Sequence, residues 1–155
     1  MTMKKIIAMM LALALVLGVC AGCGDKGKDK VIEPQAVADE LKDGIVWDAE
    51  MVPFAEDDLR YYFDVADDTV IAGYQASTAT TEMVVAAQCA DEAQAQALES
   101  AMKQYISDLK MEADRYQPEE VARLEGAVLQ RNGMAVVLCV SGDDGAAEKV
   151  EAWLK

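Results

Sequence analysis

The 155-residue chain contains no histidine. That removes the Ser-His-Asp triad, the Cys-His pair and every histidine-ligated metal site from consideration. Basic residues are scarce: 14 against 28 acidic ones, for a formal net charge of −14. Such a chain has no electrostatic footprint for nucleic acid, where affinity rests largely on Lys and Arg against phosphates. An anionic membrane surface recruits basic clusters, which this chain does not offer. Glycine-rich phosphate loops are absent: neither Gly-x-Gly-x-x-Gly nor a Walker pattern occurs. Acid pairs such as Asp57-Asp58, Asp67-Asp68 and Asp143-Asp144 lack the Asp-x-Asp-x-Asp-Gly spacing of a calcium loop. Solvated turns and helix caps account for them. No cofactor and no metal is expected.

No apolar run reaches the roughly 20 residues that span a bilayer. The longest is residues 6–17, which follow Lys4 and Lys5 and have the length of an export-signal core. Val19-Cys20-Ala21-Gly22-Cys23-Gly24 comes next. The small pair before Cys23 resembles the lipobox of bacterial lipoproteins, which implies a diacylglyceryl group on the Cys23 thiol and cleavage just before it. Cys20 stands where that motif prefers leucine. The expected division is a signal peptide over residues 1–22, the lipidated cysteine and a Gly- and charge-rich tether over 23–30, and one α+β domain over 31–155. Removing 22 residues, with two lysines and no acid, leaves 133 residues and a net charge of −16. Two acyl chains anchor stably, at about 0.8 kcal/mol per buried methylene. The expected location is the extracytoplasmic face of the cell membrane, with membrane lipid as the partner through Cys23.

Along the folded part, Pro34 suits the first turn of a helix that runs to about Asp43 and stops at Gly44. Residues 45–56 read as irregular, and residues 57–63 as a short helix. Residues 69–76 and 81–89 read as strands, the second more buried. Asp91 caps a long helix to about Arg115, with Leu98, Met102, Tyr105, Leu109, Ala113 and Tyr116 in one stripe. Asn132-Gly133 between apolar runs predicts a hairpin, and residues 134–140 are apolar on both faces, as in a central strand. Residues 146–154 close the chain as a helix. The order α-(α)-β-β-α-β-β-α predicts a small antiparallel four-stranded sheet with helices packed on one face.

Of the nine aromatic residues, five lie within the 17 residues from Trp47 to Phe63. Aromatics grouped on a loop either stack on a ligand or anchor a partner, or they pin an irregular segment to the core. Trp47, Tyr61 and Tyr62 are the candidate contact residues. Once Cys20 leaves with the signal and Cys23 carries lipid, Cys89 and Cys139 remain. They either form the one available disulfide or sit as buried free thiols; their apolar surroundings favour thiols. A carboxylate pair such as Glu112 with Glu119 or Glu120 would serve acid–base chemistry only in a cleft of suitable geometry.

From Ala79 onward the pattern resembles a domain-of-unknown-function family of small clostridial-type bacterial lipoproteins. The resemblance rests on Thr81-Glu82-Met83-Val84-Val85, the helix started by Asp91, Tyr116-Gln117-Pro118-Glu119-Glu120, the glycine hairpin, the strand over 135–140 and Ser141-Gly142-Asp143-Asp144. It spans roughly residues 45–155 and implies a fold and a compartment but no activity. The expected function is a lipid-anchored binding or accessory module, not an enzyme, for an extracytoplasmic protein or envelope component. The alternatives are a small-ligand binder for uptake or sensing, and a carboxylate-based hydrolase of envelope glycans.

Overall fold

A computed structural model describes residues 30–155. The expected signal peptide, Cys23 and all but the last residue of the expected tether lie outside the described residues. Helix α1 (Pro34–Gly44) starts on its proline and buries Val37, Ala38 and Leu41. Strand β1 (Met51–Pro53) and helix α2 (Glu56–Phe63) follow. Strands β2 (Val70–Ala76) and β3 (Met83–Gln88) form a hairpin, and helix α3 (Glu92–Tyr116) runs for 25 residues. Its start is capped by Asp91, whose carboxylate accepts a hydrogen bond from the Gln94 N–H at 2.8 Å. A 3₁₀ turn (Pro118–Glu120) and helix α4 (Val121–Glu125) lead to strands β4 (Val128–Asn132) and β5 (Ala135–Val140), and helix α5 (Ala146–Leu154) closes the chain.

The strands form one antiparallel five-stranded sheet in the order β1-β2-β3-β5-β4. This corrects the four-stranded expectation. The added strand, β1, pairs Met51 with Ala76 and Pro53 with Tyr74 at the sheet edge. Three residues ending in proline show no alternation, so the pairing partner alone makes them a strand. The placement of helices on one face is also corrected. Helices α1 and α5 pack on one face, against Val84, Ala86, Val137 and Cys139. Helices α2, α3 and α4 cover the other, against Met83, Val85, Val136, Leu138 and Val140. The reason is the composition of β3 and β5. They pair from Met83↔Val140 to Gln88↔Ala135, and side chains on both faces of that pair are apolar and buried. A strand pair buried on both sides needs cover on both sides.

The β4–β5 hairpin turns at Gly133-Met134, with Asn132 paired to Ala135. Gly133 takes φ +57°, which a tight hairpin requires at its first central position. Within α3 the stripe runs through Leu98, Met102 and Ala113, but Tyr116 at its end is 76% exposed. Cys89 and Cys139 are free and buried, and they belong to opposite faces of the sheet. Burial pushes the Cys139 thiol up to about 12.

Strand β2 runs close beside β3 at Gly73, which pairs with Val85. A Cβ there would lie 2.6 Å from the Val84 carbonyl oxygen and 3.1 Å from Val85 Cγ2. Gly73→Ala is therefore expected to destabilise the domain by about 2 kcal/mol or more, read as a lower urea midpoint at unchanged slope.

Candidate functional site

The residue before β3 is Glu82, whose side chain has no solvent exposure. A carboxylate in that position must be met by donors. It accepts from the Asp48 and Ala49 N–H groups at 2.9 and 3.1 Å. Next to it, Glu120 of the 3₁₀ turn accepts from the Thr81 N–H at 2.9 Å and the Thr81 hydroxyl at 2.7 Å. Arg123 of α4 sits between the acids. It donates to both oxygens of Glu120 and to Asp48, and its Nε lies 3.9 Å from Glu82 Oε1 with no hydrogen-bond partner. Three stretches far apart in sequence thus meet at one guanidinium: the approach to β1, the β2–β3 loop, and the continuous 3₁₀ turn and α4. Burial works to raise the Glu120 carboxyl, but hydrogen bonds from Arg123 and Thr81 outweigh it and hold the group below its ordinary 4.5. Burial likewise disfavours the Arg123 charge, and Glu120 more than offsets it.

Beside this clamp lies an open groove of about 230 Å³, between the β2–β3 loop and α3. Gln75 and Thr78 line it from the hairpin, and Tyr105, Leu109, Glu112 and Gln117 from the helix and its end. Gln117 Nε2 donates to the Ala79 carbonyl at 3.0 Å and ties loop to helix. Among the described residues, the side chains of Gln75, Thr78, Tyr105 and Glu112 make no hydrogen bond within the protein. Burial, with the neighbouring Tyr62 and Glu112, raises the Tyr105 phenol above its ordinary 10.0.

Two larger hollows exist, of about 510 Å³ between α1 and α5 and about 460 Å³ beside α4. Each holds one committed cation beside charged groups that have no partner among the described residues, Lys30 and Glu40 in the first and Glu119 and Asp144 in the second. Lys149 of the first is held by Asp143 at 2.7 Å, and Arg123 of the second serves the clamp. Of the three, the hairpin groove is the one lined by a tyrosine, Tyr105, and that wall rather than size singles it out.

The candidate contact residues separate. Trp47 is half-buried against the α1/α5 layer, and its Nε1 donates to the Lys42 carbonyl at 2.8 Å. Tyr61 (83% exposed) and Tyr62 (47% exposed) lie on α2, across the sheet from it. Tyr62 meets Tyr105 at a ring-centroid distance of 5.6 Å and Phe54 at 6.0 Å. The tyrosines therefore adjoin the groove, and Trp47 does not. Glu120 is locked in the clamp while Glu112 faces the groove. Among the described residues, no group of three or more His, Cys, Asp or Glu is placed to hold a metal ion. Sequence reasoning did not single out the loop Ser77-Thr78-Ala79-Thr80-Thr81; its run of hydroxyl residues was the available signal.

Replacing Arg123 by methionine leaves Glu82 and Glu120 buried without a counter-charge. The expected loss is about 3–5 kcal/mol by urea denaturation. Adding Glu82→Gln to Arg123→Met should recover part of it, because one orphaned charge is then gone. The carboxylates also give the sign of the pH dependence. Hydrogen bonds from Lys149 and from the Val46 and Gly145 N–H groups hold Asp143 at about 2, against 3.8. A depressed carboxylate stabilises fully above its unfolded pKa and loses that contribution as pH falls through the folded one. The unfolding midpoint is expected to drop as pH falls from about 4 to about 2, and Asp143→Asn should flatten that limb.

Residues 46–141 match the family model described as a domain of unknown function, DUF4358. The matched stretch takes in all five strands and helices α2 to α4, and leaves out α1 and α5. No curated protein and no solved structure matches the chain. The chain belongs to the DUF4358 family.

Proposed function

We propose that the protein is a lipid-anchored binding or accessory module on the extracytoplasmic face of the cell membrane. Residues 1–22 act as its signal peptide, Cys23 carries the diacylglyceryl group and a short tether joins it to the domain. Seven tether residues reach at most about 25 Å, so the domain works close to the bilayer. The support for the anchor is the charged start, the 12-residue apolar core and the Ala21-Gly22-Cys23 junction.

The observation that carries the binding role is the hairpin groove, where the Gln75, Thr78, Tyr105 and Glu112 side chains have no hydrogen-bond partner among the described residues, set beside a clamp whose polar side chains do. Groups held apart from one another and left unpaired suit a ligand better than they suit the fold. The same contrast weighs against a glycan hydrolase. That chemistry takes two carboxyls facing one cleft. Glu82 and Glu120 are consumed by backbone N–H groups, Thr81 and Arg123, which leaves Glu112 to face the groove.

Two arms test the reading. Cys23→Ala in cells should abolish incorporation of labelled palmitate and remove the protein from the washed membrane fraction; retention there would defeat the anchor. For binding, the full chain in detergent micelles is heated with amino acids, sugars and peptidoglycan fragments. A ligand at a hundred times its dissociation constant adds about 2.7 kcal/mol, a shift of several degrees. A flat panel together with no cross-linked partner in native membranes would defeat the binding role.

A further inference from the structure

Resting on that reading, we propose that the hairpin groove and the tyrosines leading to it form a carbohydrate site that takes a neutral, hydroxyl-bearing glycan chain. The first support is the row of rings. Tyr61 and Tyr62 lie 5.6 Å apart between centroids, and Tyr62 and Tyr105 again 5.6 Å apart. The row begins on a side chain that is 83% exposed and ends on one that lines the groove. Sugar rings carry an apolar C–H face, which packs on the negative face of an aromatic ring. The tyrosines are inclined to one another by 70° and 49°, so a ligand following them must twist, as a glycan does about its linkages.

The second support is the polar inventory. The Gln75 amide and the Thr78 and Tyr105 hydroxyls each donate and accept, and the Glu112 carboxylate accepts. Ring hydroxyls also do both, so they can meet all four. The third is charge. A chain at −14 repels anions at a distance, and the groove adds Glu112 to that field. About 230 Å³ admits a single ring. The rest of the contact lies on the tyrosines outside, so a chain is held better than a free monosaccharide.

The test uses the full chain in detergent micelles, with hydrogen-exchange mass spectrometry and titration. The probes are neutral chitin oligosaccharides, their cationic chitosan counterparts and free N-acetylglucosamine. Saturable protection of residues 75–83 and 105–117 by the neutral oligomer, stronger than by the monosaccharide, is the expected result. Tyr61→Ala should weaken it about fivefold at unchanged melting temperature, since the ring is almost free of the core. Glu112→Gln, which keeps the shape and an acceptor, should weaken it less. Protection by chitosan alone would overturn the proposal, because the groove would then be reading positive charge. So would full affinity in Tyr61→Ala, or no protection by any of the three probes. A thermal shift from a different ligand class, or a cross-linked protein partner, beside those negative results would sink the glycan while leaving the binding module standing.

Discussion

Strands β3 and β5 are buried on both faces, and most of the molecule follows from that burial. Their side chains have water on neither side, so each face must be roofed. Helices α1 and α5 roof one, and α2, α3 and α4 the other. The same burial reaches Glu82, the residue that enters β3. It cannot retreat to solvent without pulling the central strand with it. Its carboxylate therefore gathers donors from whatever lies near, and these are the Asp48 and Ala49 N–H groups. Those two bonds hold the segment that becomes β1, so the fifth strand is in part a consequence of one buried acid.

Arg123 completes that arrangement. A second acid, Glu120, needs a counter-charge at the same end of the sheet, and the guanidinium fork reaches it, Asp48 and the neighbourhood of Glu82 together. Buried ion pairs add little net stability compared with apolar packing, but breaking one is costly. A clamp of this kind is therefore better at specifying which segments meet than at strengthening the fold. Here it sets the β2–β3 loop beside α3, and the groove is the gap between them. Rigid walls and free side chains next to each other are what a binding site needs.

The sequence was informative where a signal is local. Asp91 as a cap, Pro34 at a helix start, the glycine hairpin and the helical stripe of α3 all depend on neighbours within a turn or two, and each lies where its pattern places it, to within two or three residues. Signals were weak where a residue's role depends on a distant partner. Met51–Pro53 has no strand pattern of its own, and its pairing lies with Tyr74 to Ala76. The aromatic group from 47 to 63 was visible as a cluster, yet the fold sends Trp47 to one side of the sheet and Tyr61 and Tyr62 to the other.

Composition and short-range order thus establish an acidic, histidine-free chain and its α+β class, because these depend on counts, caps and periodicity. Tertiary contact alone chooses which acids are structural and which are free. Glu82, Glu112 and Glu120 look alike in the chain. Packing buries the first, locks the third to Arg123 and leaves the second facing a groove, since desolvation and hydrogen bonding act through space and not along the sequence.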